Sequence, residues 1–354
     1  MAEHWFGDPV IKVAIAAPGR ESVVEDFEPA ERGFVARDVE GDDRPLPGSG
    51  KVETSVPAVR DVQPPSVSTL DNGLTIVHSA SPGTRMFAMH VLVRDRSARE
   101  PADHPGMADL LHRCLPAGAG QYDKEEFAAL LDGIGAQWKV TDAGFIPYDD
   151  YYSTSPRFSF VRIDCVDLYW KEAMRLVGLM LSDPQLEPAE IDRAREALMQ
   201  RVRQDGQSAS ALSRATFNEA LYGSDDPRSR PVFGREGSLD GVDQKALKAF
   251  ALDYLDPGQV IVSVVGNVDR NAVVDHARQV LGYGAASDHV AAAPLPTRLT
   301  TESVNATPSL EGPQAYIRMG RIIEIEPADR WALEVATMIA SDRMQQDLRE
   351  TRGW

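Results

Sequence analysis

The sequence predicts an α+β chain, and three observations carry that expectation. A hairpin signal, Asp71-Asn72-Gly73, sits between strand-like runs within Val67 to Ala80. Several segments after residue 106 carry apolar residues at helical spacing, as in Phe127, Leu130, Leu131 and Ile134. An almost wholly apolar run, Val260 to Val265, is closed by Gly266 and reads as a buried strand.

The elements follow in order. After the hairpin, Met86 to Val93 is a second strand candidate, and His90 within it reads as a core or interface histidine. A helix then runs from about His104 to Leu115, with Met107, Leu110, Leu111 and Cys114 on one stripe. The next helix starts at Asp123, an N-cap with Glu126 three residues on, which is the capping-box spacing. Strands are expected at Gln137 to Thr141 and Phe158 to Asp164, and helices at Leu168 to Leu181, Pro188 to Arg203, Ala209 to Leu221, Gln244 to Tyr254 and Arg270 to Leu281. A last strand lies around Gln314 to Ile323, followed by a helix from Pro327 to about Leu348.

Four segments emerge. Residues 1–65 read as an extension, with a short apolar run at Val10 to Ala17, an acidic stretch from Glu21 to Pro47 and Pro/Gly-rich linker. Residues 66–284 form a first domain, 285–306 an alanine- and proline-bearing linker, and 307–354 the start of a second, incomplete domain. One strand and one helix cannot bury a core, so that last segment needs further chain or a partner.

Composition narrows the function classes. The chain has 354 residues and a formal net charge of -17, which disfavours nucleic acid and anionic membrane surfaces, because both need clustered Lys and Arg. No apolar stretch reaches the length of a membrane span, and no basic region followed by a long apolar run marks the N-terminus. Cytoplasmic and exported locations both remain open. Cys114 and Cys165 are too few for a disulfide framework and are expected as buried thiols.

Several stretches, in their order and separation, resemble the pitrilysin/insulinase (inverzincin) family of zinc metallopeptidases. They are Leu70 to Thr75, Gly106 to Ala119, Leu181-Ser182-Asp183-Pro184 with the helix through Arg201, Phe250 to Tyr254 with Val260 to Asp269, Gln314 to Ile317, and Asp347 to Gly353. The resemblance covers about residues 66–354. It implies a fold like that of the mitochondrial processing peptidase, with mainly antiparallel sheets packed with helices in two homologous halves.

The family's HxxEH helix places two histidine ligands and a glutamate base on one face, and a glutamate farther along completes the zinc site. By frame, the first histidine slot is Asp109, the base slot His112, the second histidine slot Arg113 and the downstream glutamate slot Arg201. Arginine offers no lone pair, so two of the three ligand slots repel a cation. The resemblance therefore implies a catalytically degenerate member without a zinc cofactor. Asp109 and Arg113 have helical ion-pair spacing, and Arg201 is expected to join them in a charge cluster replacing the metal. The Arg113 to Arg201 separation exceeds the family's usual one, and Ala143 to Pro156 is the candidate extra loop.

His104, Asp109 and His112 make a poor alternative metal site, since His104 precedes Pro105 and falls before the helix. No GxSxG elbow or phosphate loop is present. The resemblance implies a non-catalytic subunit that pairs with an active zinc-peptidase subunit, or another homologous subunit, and helps to hold an unfolded peptide. The matching peptide-binding edge is Trp138, Lys139, Val140 and Thr141, although the family's usual asparagine is absent there. The competing readings are a structural core subunit with no peptide handling and a peptidase with an atypical metal site.

Overall fold

The computed structural model describes residues 11–15, 64–141, 155–287, 304–306, 316–323 and 325–347, with 11–15 and 304–306 as backbone only. Most of the expected loop at Ala143 to Pro156, the acidic stretch and the end of the chain beyond residue 347 lie outside these residues.

The first unit is a six-stranded sheet with helices on it. Its strands are β2 (Ser66–Thr69), β3 (Thr75–Ala80), β4 (Met86–Arg94), β5 (Gln137–Lys139), β6 (Phe158–Val166) and β7 (Val260–Gly266), in spatial order β2-β3-β7-β4-β6-β5. All neighbours are antiparallel except β3 and β7, which run parallel. The hairpin joining β2 and β3 turns at Asp71-Asn72-Gly73, as the sequence signal predicts, with Gly73 at φ 92°. The Asn72 amide donates to the carbonyls of Leu281 and Tyr283 and ties the turn to a distant part of the chain.

Strand periodicity explains why the sheet has one covered face. Along β4, Phe87, Met89, Val91 and Val93 are fully buried, while the alternating Ala88, His90 and Leu92 are only half-buried. Ile76, Ile163, Val262 and Val264 continue the buried face on neighbouring strands. One apolar cluster joins it to α2 (Met107–Cys114), α3 (Lys124–Gly133), α4 (Trp170–Ser182), α5 (Pro188–Gly206), α7 (Gln244–Tyr254) and α8 (Arg270–Val280). Gly178 lets α4 approach α8 closely, since a Cβ there would lie 2.2 Å from the Val280 carbonyl oxygen. The capping box at Asp123 and Glu126 is formed on both sides. The four-residue α1 (Arg96–Arg99) has no counterpart among the sequence expectations.

Around the second segment, β1 (Ile11–Ile15), β8 (Val304–Ala306) and β9 (Tyr316–Gly320) form a three-stranded sheet with β1 in the middle. It is antiparallel to β9, pairing Ile11 with Gly320 and Ile15 with Tyr316, and parallel to β8. β1 thus places part of the segment that the sequence reads as an extension in a sheet with the end of the chain. The short apolar run supplies the strand that β8 and β9 each need as a neighbour, and β8 falls inside the expected linker. α6 (Ala209–Tyr222) packs against this sheet: Phe217, Leu221 and Ile322 form a small apolar cluster, and Arg318 donates to Ser213. α9 (Arg330–Met344) has no buried residue, and Trp331, Val335 and Met338 are exposed. No helix among the described residues is long and apolar enough to cross a membrane.

Candidate functional site

β4 delivers the chain into α1 beneath α2, and this positions a buried charged group. Asp109 is on the buried side of α2, 3% exposed, and each of its carboxylate oxygens receives a guanidinium. Arg96 Nη2 donates to Oδ1 at 3.2 Å, and Arg113 Nε donates to Oδ2 at 2.7 Å. Arg96 is only 2% exposed and also donates to the Val232 carbonyl at 3.2 Å. Burial of this kind is tolerated because the ions are paired and hydrogen-bonded.

The expected cluster thus exists with a different member. Arg201 does not join Asp109: its Nε donates to Asp205 at 3.0 Å one turn along α5, and its guanidinium lies over the Phe233 ring, 5.3 Å from the centroid. A nearby carboxylate and an aromatic face hold Arg201, while Arg96 fills the second position on Asp109. Arg96 was missed because the run Arg96-Ser97-Ala98-Arg99-Glu100 reads as a charged surface turn. Four charged or polar side chains in five residues carry no sign of burial.

Glu100 is the other residue that sequence reasoning overlooked. α2 opens at Gly106 in the left-handed conformation, φ 93°, with no side-chain cap of its own. Glu100 supplies one: its Oε1 accepts from the Ala108 N–H at 2.9 Å. Burial pushes the Glu100 carboxyl up to about 7, although Arg96 pulls it down. Gly106 is required by crowding as well as by φ, since a Cβ would lie 2.8 Å from the backbone of Phe233 and Gly234.

His112, expected at the base slot, is 1% exposed, with its ring edge-to-face against Tyr254 at 6.2 Å between centroids. Burial and then the Arg96 charge lower its pKa to about 4. A neutral, enclosed imidazole cannot replace a glutamate that takes a proton from water. Tyr254 hydrogen-bonds Ser159, and burial raises its pKa.

These residues do not fit a zinc ligand set. Asp109 is saturated by two cations, Arg113 and Arg201 have no lone pair, and His112 faces an aromatic ring. The alternative trio is not assembled either, because His104 Nδ1 is bonded to the Ser238 carbonyl at 2.8 Å. No group of three or more His, Cys, Asp or Glu side chains suited to a metal occurs among the described residues. Cys114 and Cys165 are buried and free, and burial raises the Cys114 thiol to about 12.

The expected peptide edge is also placed. Among the described residues the six-stranded sheet ends in β5, where Trp138 lies opposite Ile163 and Lys139 opposite Arg162. Trp138 is 40% exposed. The strand stops at Lys139, which corrects the expected limits: Val140 turns inward and is buried in the core, and Thr141 follows in a bend.

No protein-family model matches the chain. Curated relatives are all described as uncharacterized zinc proteases. One from Streptomyces coelicolor is 24% identical over 296 residues, covering 81% of this chain and 62% of the relative. One from Mycobacterium leprae is 26% identical over 297 residues, 81% of this chain and 63% of the relative. One from Bacillus subtilis is 22% identical over 290 residues, 80% of this chain and 67% of the relative. The chain therefore spans just under two thirds of the length of the first two.

Solved structures share the fold. A peptidase M16 inactive domain from Pseudomonas fluorescens superposes with TM-score 0.56 at 17% identity, covering 65% of this chain and 53% of that one. A protease from Helicobacter pylori gives TM-score 0.56 at 20% identity, with 67% and 53% covered.

Proposed function

We propose, from the premise that this chain is a pitrilysin/insulinase-type peptidase homologue, that it is a non-catalytic subunit binding no zinc and holding extended peptide beside an active zinc-peptidase subunit. The observation that carries the reading is the Arg96–Asp109–Arg113 cluster. Zinc hydrolysis needs three neutral or anionic ligands, an open position for water and a base. Here the corresponding positions hold one carboxylate already neutralised by two guanidiniums and a neutral imidazole shut away from solvent.

Peptide handling does not need those groups. A strand at the end of a sheet binds an extended peptide through backbone N–H and C=O groups, and neighbouring side chains add selectivity. Among the described residues β5 is the last strand of its sheet, and its own Trp138 offers apolar surface. One fold relative is described as an inactive domain of the M16 peptidases, which agrees with a role without hydrolysis.

A second reading, a structural subunit with no peptide handling, draws on the exposed apolar residues Trp331, Val335 and Met338 of α9. Three measurements on the purified chain separate the readings: zinc content, cleavage of an unfolded peptide with and without a copurifying zinc-peptidase subunit, and photo-crosslinking of that peptide at Trp138. The expected result is no stoichiometric zinc, no cleavage alone and crosslinking at Trp138. Stoichiometric zinc with cleavage by the chain alone overturns the proposal, and absence of any crosslink selects the structural reading.

A further inference from the structure

A second region has the make-up of a ligand site and is separate from the Asp109 cluster and from β5. The end of α5, one face of α6 and the loop 229–236 line a cleft of about 590 Å³ that opens to solvent, with Arg203 and Arg235 exposed. That size is usual for small-molecule sites, which span roughly 300–1,000 Å³. Val202, Leu212, Val232 and Phe233 give it apolar walls.

Its charge is unusual for this protein. Arg203, Arg214 and Arg235 all line the cavity, and none of their guanidiniums makes an ion pair or hydrogen bond among the described residues. Of the two lining carboxylates, Asp205 is engaged by Arg201, which leaves Glu236. Arg214 also crowds Arg318, whose pKa is lowered first by burial and then by Arg214. In a chain of net charge -17, three unneutralised guanidiniums around one concave apolar surface concentrate positive potential in one place.

The wall is held in shape independently of any ligand. Arg96 bonds the Val232 carbonyl, Arg201 covers Phe233, and Arg230 donates to the carbonyls of Ser97 and Glu100. A preformed apolar cavity with convergent donors loses little freedom on binding.

We propose that this cavity binds a small anionic ligand: a carboxylate, phosphate or sulfonate group carried on an apolar body. The acidic group meets the arginine forks, which match planar and tetrahedral oxyanions, and the body lies along Leu212, Val232 and Phe233. This inference does not depend on the proposed peptide-holding role.

The test uses the full chain and 8-anilinonaphthalene-1-sulfonate, an anionic aromatic dye, with competition by octanoate, octanol and inorganic phosphate. Saturable binding of one dye per chain is expected, with octanoate displacing it at lower concentration than octanol or phosphate. Arg214→Gln, and separately the surface pair Arg203→Gln with Arg235→Gln, each weaken dye binding by roughly tenfold, consistent with loss of a charge-assisted contact. Arg214→Lys, which keeps the charge and loses the fork, weakens binding less than Arg214→Gln does. Arg278→Gln, which removes a guanidinium paired with Asp275 on α8, leaves it unchanged. Dye binding unaltered in both glutamine variants, or octanol displacing as well as octanoate, overturns the proposal.

Discussion

Asp109 is the residue on which the interior charge balance turns, because Arg96 is buried and finds its anionic partner there. Asp109→Ala removes the carboxylate that Arg96 pairs with in the core and is expected to lower unfolding stability by about 3–5 kcal/mol in urea denaturation. Arg113→Ala keeps the Arg96 pair and removes a partner that is 25% exposed, so a smaller loss of about 1 kcal/mol is expected. Equal losses in the two variants would count against Arg96 as the critical partner.

Glu100 and His112 make opposite pH contributions. The native Glu100 carboxyl, near 7 instead of 4.5, holds its proton where the unfolded one has lost it, so its contribution falls as pH rises from about 4.5 to 7. The native imidazole, near 4 instead of 6.5, stays neutral where the unfolded one is charged, so its contribution rises as pH goes from about 4 to 6.5. Against the double variant as reference, His112→Gln should therefore lose stability from pH 4.5 to 7, and Glu100→Gln should gain it from pH 4 to 6.5. Chemical denaturation at half-unit pH steps checks both, and slopes of the same sign in the two variants would refute the assignment.

At the scale of elements, α2 is aimed by its first residue. Gly106 takes a left-handed φ and sits against the backbone of Phe233 and Gly234, while Glu100 caps the helix from outside it. Gly106→Ala combines a strained φ with a contact that only backbone movement relieves, and should cost about 2 kcal/mol or more by urea denaturation. A loss within experimental error would show that the 231–234 loop gives way freely. The helix itself was legible from Met107, Leu110, Leu111 and Cys114 at helical spacing, and the hairpin from Asp71-Asn72-Gly73. The end of β5 was not, because Val140 continues the β-type composition but is drawn into the core and stops the strand. α1 went unseen because four residues are too few for a periodic signal.

At the scale of the whole molecule, the positions that would carry zinc chemistry are spread over two helices, α2 and α5, and their arrangement decides what restoration can achieve. Asp109→His, His112→Glu, Arg113→His and Arg201→Glu together rebuild the family's residue types while Arg96 stays buried at the same place. That quadruple variant is expected to bind no stoichiometric zinc by mass-spectrometric metal analysis, and adding Arg96→Gln is expected to raise the zinc content. Equal content with and without Arg96 would remove it as the blocking cation. The second sheet has the same long-range character. β1 lies between β8 and β9 although about 290 to 310 positions separate it from them in sequence, and α6 from the first unit packs against it.

The sequence alone determined the α+β class, most of the order of elements, the resemblance to the zinc peptidases and the presence of arginine at two of the three slots, Arg113 and Arg201, that the resemblance assigns to metal ligands. These depend on local periodicity, on turn and cap residues and on which side chains carry a lone pair, all of which a linear chain displays. Tertiary structure alone decided that Arg96, and not Arg201, completes the charge cluster, that Glu100 caps α2, that β1 is a middle strand, and that three arginines converge on one cavity. A long flexible side chain takes whichever partner the fold brings within about 3 Å, and burial then makes that choice costly to change.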